Sequence, residues 1–408
     1  MSATTRPPGR LDLEPLLSFR GRNAPNAAIS DPQTSAGCIS FIYGFPDRAS
    51  LPNDSVGAST LRALQGHPDW VLQYGKTTGV GGLVDVLLAK LARDQGLSAG
   101  RENVMVTAGG SQALQLVLDL FVDPSDTVIA EGPTWMGFID ALNNVGGKLA
   151  TVPIDGQGTD TGALEALLLR LRSEGVKPKL IYLISNFQNP SGISTTAERR
   201  RRIVALAQEH GVPILEDDAY HDLRFSGERI PTIYELDDSG STMYLGTLSK
   251  IMGAGMRIGW LVAAPEIINR LAALKIDGGT NIFGSYVAAE WIPAHLNSHL
   301  EQLKGIYARR RDLMVAALER HMPEGTSWTR PEGGFFIWLT LPPGLDAGRM
   351  LPQARERGIE YLPGATCYTD GRGANQIRLA YSFAADDQID DGIRILGEVV
   401  RSELREIG

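Results

Sequence analysis

Cysteine is scarce in this sequence: Cys38 and Cys367 are the only two in 408 residues, far apart, and neither sits in a Cys-x-x-Cys pair. That removes the usual thiol route to metal or redox chemistry and fits a reducing, cytoplasmic setting. Uninterrupted apolar runs of the roughly twenty residues a membrane span needs are missing as well. The opening segment 1–10 carries positive charge with no apolar stretch behind it, so it reads as a short flexible arm, not a secretory leader. Basic residues are in deficit, 39 Lys and Arg against 47 Asp and Glu for a net charge of -8, which argues against a nucleic-acid partner. The one basic run, Arg199 to Arg202, reads as the solvated start of a helix, because Ile203, Val204, Leu206 and Ala207 follow at helical spacing and His210-Gly211 closes it. Repeats, low-complexity tracts and Gly/Ser-rich linkers are also lacking.

What is present is ordinary globular material, 43% hydrophobic and 21% charged, in a chain long enough for two domains. From about residue 103 to residue 263, β-branched apolar runs alternate with helical patterns. The runs are Val104–Val106, Thr127–Ala130, Lys148–Val152, Leu180–Ile184, Pro213–Glu216, Met243–Leu245 and Ile258–Val262, and helices are predicted over Ser111–Leu120 and Ala163–Arg172. This predicts an α/β fold whose large domain holds a seven-stranded, mostly parallel sheet between helices. After Pro265 the pattern changes to long helices through Trp291 and Tyr307, a β segment over Gly334–Leu339 and a last helix over Asp387–Glu406, a smaller α+β domain. The expected division is 1–40 as an N-terminal arm and part of the small domain, 41–290 as the large domain, and 291–408 as the small C-terminal domain. A long helix would bridge the two and keep their motion hinge-like.

The chemistry-bearing segments all stand where strands end. Reactions at the α-carbon of an amino acid need an electron sink, which a protein supplies by condensing a lysine with a pyridoxal aldehyde. Of eight lysines, Lys250 alone follows a strand ending in small hydroxyl residues, Thr247 and Ser249, with a glycine-rich stretch behind it. A solvated surface lysine is the plain alternative. Arg257, in Gly253-Ala-Gly-Met-Arg257, suits a phosphate dianion, or else caps a turn. At Thr107-Ala-Gly-Gly-Ser-Gln112 a strand gives way to an apolar helix, so Gly110, Ser111 and Gln112 can donate to a phosphate at the helix start; an ordinary N-cap by Ser111 explains the segment equally well. Asp217 and Asp218 follow a buried apolar strand and require a cation there, such as a protonated pyridine nitrogen; alternation alone leaves open which of the two points inward. Tyr220 could donate to a ring oxygen. A loop cap or a metal site is the plain alternative for these acids, and no metal is expected. Asn189-Pro190 reads first as a turn. Arg378, a charge inside an apolar strand, wants either a structural carboxylate or that of a substrate.

Taken in order, Gly109-Gly-Ser-Gln112, Asn189-Pro190-Ser-Gly192, Asp217-x-x-Tyr220, Ser249-Lys250 and Arg257, with Arg378, resemble the fold-type-I pyridoxal 5'-phosphate (PLP) enzymes, specifically class I/II aminotransferases near the aminoadipate/kynurenine branch. The resemblance runs over most of the chain. It implies that Lys250 forms the internal aldimine and then moves the proton between the α-carbon and the cofactor. By the same resemblance, Asp217 pairs with the pyridine nitrogen and Asn189 and Tyr220 with the ring oxygen. Gly110, Ser111, Gln112, Thr247, Ser249 and Arg257 would hold the phosphate, and Trp135 would stack on the ring. Arg378 would clamp the substrate carboxylate beside Asn189, with Gly44 shaping the pocket; Arg22, Tyr43 and Tyr286 are further candidates for substrate contact. Tyr74 resembles the tyrosine that reaches the neighbouring subunit's phosphate, which implies a homodimer with shared active sites. Two departures stand out: the branch usually has tyrosine in place of Trp135, and Pro-Leu-Arg where this chain has Gly82-Leu83-Val84. The implied reaction passes an amino group from an L-amino acid to a 2-oxo acid. Elimination, replacement or carbon–carbon bond formation on an amino acid such as a methionine derivative is the second reading. A PLP-sensing transcription regulator is the third, disfavoured because no paired-helix pattern precedes the core.

Overall fold

The computed structural model describes residues 13–24 and 37–407. The basic opening segment 1–10 and much of the expected arm over 1–40 lie outside the described residues. Seven strands, β1 (Val104–Thr107), β2 (Thr127–Gly132), β3 (Lys148–Asp155), β4 (Leu180–Leu183), β5 (Ile214–Asp217), β6 (Thr242–Thr247) and β7 (Gly259–Val262), form one sheet in the order β1-β7-β6-β5-β4-β2-β3. All neighbours pair in parallel except β7, which runs antiparallel to both β1 and β6. An eighth strand not expected from the sequence, Gly158–Thr159, is a two-residue hairpin return on the end of β3, too short to leave an apolar signature. Strands β1, β4, β5 and β6 are buried at every position, which explains why they read as continuous apolar runs without alternation: helices cover both faces.

Those helices include α1 (Gly81–Gln95), α2 (Gly110–Phe121), α3 (Met136–Val145), α4 (Thr161–Ser173) and α5 (Ala197–His210). Their limits follow from side-chain chemistry. Asp160 accepts from Ala163 N–H to open α4 and Thr196 from Arg199 N–H to open α5, while Gly211 at φ 61° closes α5 in the left-handed region. The basic run after Glu198 is thus the first turn of α5, although Arg200 turns inward and is fully buried.

The helical stretch after Pro265 resolves into Pro265–Leu274 and one continuous helix of 40 residues, α6 (Ile282–His321), in place of several long ones. Pro293 inside it faces solvent and removes one backbone donor. The helix persists because Trp291, Leu296, Leu303, Tyr307, Met314 and Leu318 form a buried stripe along its length. It leads to a four-stranded antiparallel sheet that includes β8 (Phe336–Thr340) and β9 (Gln376–Ala380), backed by the last helix α7 (Asp386–Ile407). One hydrophobic core runs without interruption from Leu87 and Trp260 through Leu303 to Phe336 and Leu396.

Candidate active site

The carboxyl ends of parallel strands are where open α/β sheets leave a crevice, since each strand there hands over to a connection and a helix start. Here that crevice is a cavity of 410 Å³, walled by residues that end β5 and β6, begin α2 and α3, and reach in from β9 of the smaller sheet. Of the residues expected from the sequence it gathers Gly44, Gly110, Ser111, Trp135, Asn189, Asp217, Tyr220, Thr247, Ser249, Lys250, Arg257 and Arg378.

Lys250 sits just past β6 and donates from Nζ to the carbonyl of Gly44 at 2.9 Å. Burial lowers its pKa to about 8, helped by the cations Arg378 and Arg257 and opposed by Asp217. About a tenth of the amine is therefore neutral at pH 7, far more than in an ordinary lysine, as a nucleophile requires.

The structure decides between the two acids. Asp217 faces the cavity and Asp218, one residue on, faces away from it, as the period of an extended strand dictates. Asp217 Oδ2 accepts from the Tyr182 hydroxyl at 2.8 Å, and its Oδ1 is buried without a partner. Burial, reinforced by the Asp218 charge, raises its pKa to about 6 against the hydroxyl of Tyr182, the Ala219 N–H and the charge of Lys250. An unpartnered buried carboxylate oxygen costs on the order of 1–3 kcal/mol, more when charged, and a protonated pyridine nitrogen would satisfy it.

Tyr220 and Arg378 meet at Asn189. Arg378 Nη1 donates to Asn189 Oδ1 at 3.0 Å, Nη2 donates to the Ile42 carbonyl, and Nε is buried and unpartnered. Its guanidinium lies 4.4 Å from the centre of the Phe336 ring. Burial disfavours the charge on Arg378, so an incoming carboxylate would find a desolvated guanidinium with a donor to spare. Tyr220 is buried too, which pushes its hydroxyl up, while Arg378 and a hydrogen bond with Asn189 oppose this.

The turn between β1 and α2 is built from glycines. Gly109, at φ 76°, precedes α2 without any side-chain cap, which leaves the first-turn N–H groups of α2 free. A Cβ on Gly109 would stand 2.7 Å from Arg257 Nη2, and one on Gly259 would stand 2.7 Å from the carbonyl carbon of Gly109. Arg257, itself left-handed at φ 47°, donates to the carbonyls of Ala108 and Ala254. Thr247 Oγ1 accepts from the Ser249 N–H at 3.1 Å, which orders the turn that carries Lys250.

Most of the remaining expected residues lie outside this cavity. Gln112 does not line the cavity: its Oε1 accepts from Ala108 N–H at 2.7 Å and its Nε2 turns to Asp277, so the side chain braces the turn. Tyr74, expected to serve the neighbouring subunit, is 80% exposed on this chain and borders a second cavity with Trp70, Val84 and Tyr286. The departure at Gly82-Leu83-Val84 belongs to that second cavity and to the core, not to the cavity of Lys250. Arg22 is exposed and donates to the Leu17 carbonyl, whereas Tyr43 does line the main cavity. Residues not anticipated are Tyr182, whose hydroxyl in an otherwise apolar strand was a usable signal, and the wall residues Ile42, Met136, Phe336 and Leu362, which carried none. Trp135 fits because residue 137 is glycine: a Cβ there would lie 2.4 Å from the indole.

Sheet order, the connection through a long helix and an amine-bearing cavity at the strand ends together define the fold type I of PLP enzymes. The chain belongs to the class I and II aminotransferases, whose family pattern it matches over residues 54–395. It is 35% identical over 371 residues to aromatic-amino-acid aminotransferase 1 of Thermococcus litoralis, covering 90% of this chain and 89% of that protein. It is 33% identical to the 2-aminoadipate transaminase of Thermus thermophilus, over 90% of this chain and 91% of the relative. A crystal structure of Pyrococcus horikoshii kynurenine aminotransferase in complex with PMP superposes with a TM-score of 0.92 at 35% identity, covering 96% of this chain and 98% of that one.

Proposed function

We propose that this enzyme transfers the amino group of an L-amino acid with an apolar or aromatic side chain to a 2-oxo acid, using PLP held through Lys250. The observation that carries the reading is the pairing, across one cavity, of a lysine amine with lowered proton affinity and a buried carboxylate oxygen that lacks a partner. PLP, when bound, supplies the electron sink that makes the α-proton of the amino acid removable. Asp217 would hold the pyridine nitrogen protonated, and Tyr220 and Asn189 the ring oxygen. Ser111, the free N–H groups of α2, Thr247, Ser249 and Arg257 would hold the phosphate, and Trp135 would cover one ring face. Arg378 would clamp the substrate α-carboxylate, which would set the α-hydrogen toward Lys250 Nζ; that amine would take the proton from the α-carbon and deliver it to the former aldehyde carbon, two bonds away. Among the described residues, the cations lining the cavity are Lys250, Arg257 and Arg378, each engaged by this scheme. Ile42, Phe45, Met136 and Leu362 leave an apolar wall for the side chain.

This reading assigns residues 41–290 to the cofactor, and 291–408 with part of 1–40 to the substrate clamp. It also includes a homodimer. Leu72, Tyr74 and Ile276 are 79%, 80% and 94% exposed, and the Gly75 N–H donates to the Gly278 carbonyl, so these apolar side chains share one surface.

The experiment is to reconstitute the protein with PLP and present a panel of amino acids while following the cofactor spectrum and product masses. Conversion of the cofactor to its amine form with stoichiometric 2-oxo acid is expected for apolar and aromatic substrates. Loss of a substrate side-chain fragment without that conversion would select the elimination or replacement reading. Lys250→Ala should abolish the absorbance of the lysine-linked cofactor, and an unchanged spectrum would refute the assignment.

A further inference from the structure

Strand β5 closes on the buried acids Glu216 and Asp217, and a third, Asp218, follows directly; the proposed chemistry uses only Asp217. Asp218 is far from idle. Its Oδ1 accepts from Asn186 Nδ2 at 2.8 Å, while Oδ2 lies 2.9 Å from His221 Nδ1 and 3.1 Å from the Tyr244 hydroxyl, which donates to it. The other ring nitrogen of His221, Nε2, lies 3.3 Å from the carbonyl oxygen of Asp94. A carboxylate and a carbonyl are both acceptors, so the imidazole satisfies both only by carrying a proton on each nitrogen.

The surroundings agree. Asp222 beside it and Asp94 on α1 add negative charge, against Lys90 on α1, which binds Asp222 at 2.8 Å. Arg224 is tied to Glu332, Arg200 on α5 donates to Asn186 and lies 3.8 Å from Glu216, and Glu235 is taken by Arg229. Burial opposes the charge on His221, but the Asp218 carboxylate and its hydrogen bond outweigh it and raise the pKa above 6.5. His221 also borders a separate cavity of 440 Å³ with Asn186, Arg224 and Asn297, so protons reach it without crossing the substrate cavity.

We propose that His221 is a positioning residue: as an imidazolium it holds Asp218 turned away from the cofactor cavity and offsets its charge, and so fixes both the orientation and the proton hold of Asp217 on the preceding residue. The proposal rests on the assignment of Asp217 to the cofactor nitrogen. Its effect is electrostatic and has a sign. In His221→Gln the Asp218 charge is uncompensated, the potential behind Asp217 becomes more negative, and protonated forms of the bound cofactor persist to higher pH. In Asp218→Asn the imidazole loses the carboxylate that outweighs its burial and gives up its proton, so the pair remains neutral overall and the midpoint stays near that of the wild type.

The test is a pH titration of cofactor absorbance in the PLP-loaded wild type and both variants. The midpoint is expected to move up by about one pH unit in His221→Gln, the scale of an uncompensated charge at this range, and to stay near the wild-type value in Asp218→Asn. An unshifted or lowered midpoint in His221→Gln, or a rise in Asp218→Asn, overturns the proposal. Absence of the cofactor band in the wild type would overturn the assignment of the site and this proposal with it. Because a variant could fail to fold, the wild-type holoenzyme is also followed by NMR with labelled histidine. One doubly protonated imidazole should be present at neutral pH, and its absence counts against the mechanism whatever the variants do.

Discussion

At the scale of single residues, the site is organised by what each side chain lacks. Asp217 is held ready by an unpartnered oxygen, and that has a thermodynamic signature. Its folded-state pKa of about 6 lies above the ordinary 3.8, so ionising it in the folded chain is penalised. The penalty is absent below about pH 4, where both states are protonated, and complete above about pH 6. A shift of roughly two units corresponds to up to about 3 kcal/mol. Cofactor-free Asp217→Asn should therefore melt higher than the cofactor-free wild type at neutral pH, with the difference closing toward pH 4. Calorimetry of both forms checks this, and with PLP bound the order should reverse, since the amide cannot hold a protonated ring. An apo variant no more stable than wild type would mean that Asp217 is already satisfied. The same alternation that aims Asp217 inward sends Asp218 to the opposite face, a distinction invisible in the sequence because both acids follow one apolar run.

At the scale of elements, the proposed phosphate site depends on how closely β7 approaches the start of α2. Gly259 allows that approach, and the atoms a Cβ would meet, Gly109 C at 2.7 Å and Gly110 N at 2.9 Å, are backbone and cannot rotate aside. Gly259→Ala should displace the start of α2, with an overpacking cost of about 1–3 kcal/mol. PLP affinity should fall about tenfold or more, read by absorbance titration alongside the melting temperature. Gly305→Ala provides the control: nothing lies within 4 Å of the position on α6, so the added methyl should leave affinity unchanged and raise stability by about 0.5–1 kcal/mol. Equal affinity in both variants would show that the start of α2 does not hold the phosphate. Strand and helix positions were legible because burial on both faces produces long apolar runs and capping residues mark helix starts. The return strand Gly158–Thr159 and the unbroken course of α6 were not, since the first is too short and the second contains Pro293.

At the scale of the whole molecule, the cavity joins parts of the chain that are far apart in sequence: Gly44 receives the amine of Lys250, and Arg378 on β9 closes the wall begun by Asn189. The exposed surface around Leu72, Tyr74 and Ile276 is expected to be covered by a second copy. Sedimentation should give twice the chain mass of 44.1 kDa, and Leu72→Glu should yield monomers with weakened PLP binding; a monomeric wild type with full cofactor affinity would contradict shared sites. The sequence by itself determined the order of strands and helices, the amine-bearing segment and the family, because apolar periodicity, helix caps and short motifs are local properties of the chain. Only the tertiary structure decided which of two adjacent acids faces the cofactor cavity, that Gln112 braces a turn, and that His221 backs Asp218. Those outcomes depend on the direction a side chain takes and on partners tens to hundreds of residues away, and packing alone fixes both.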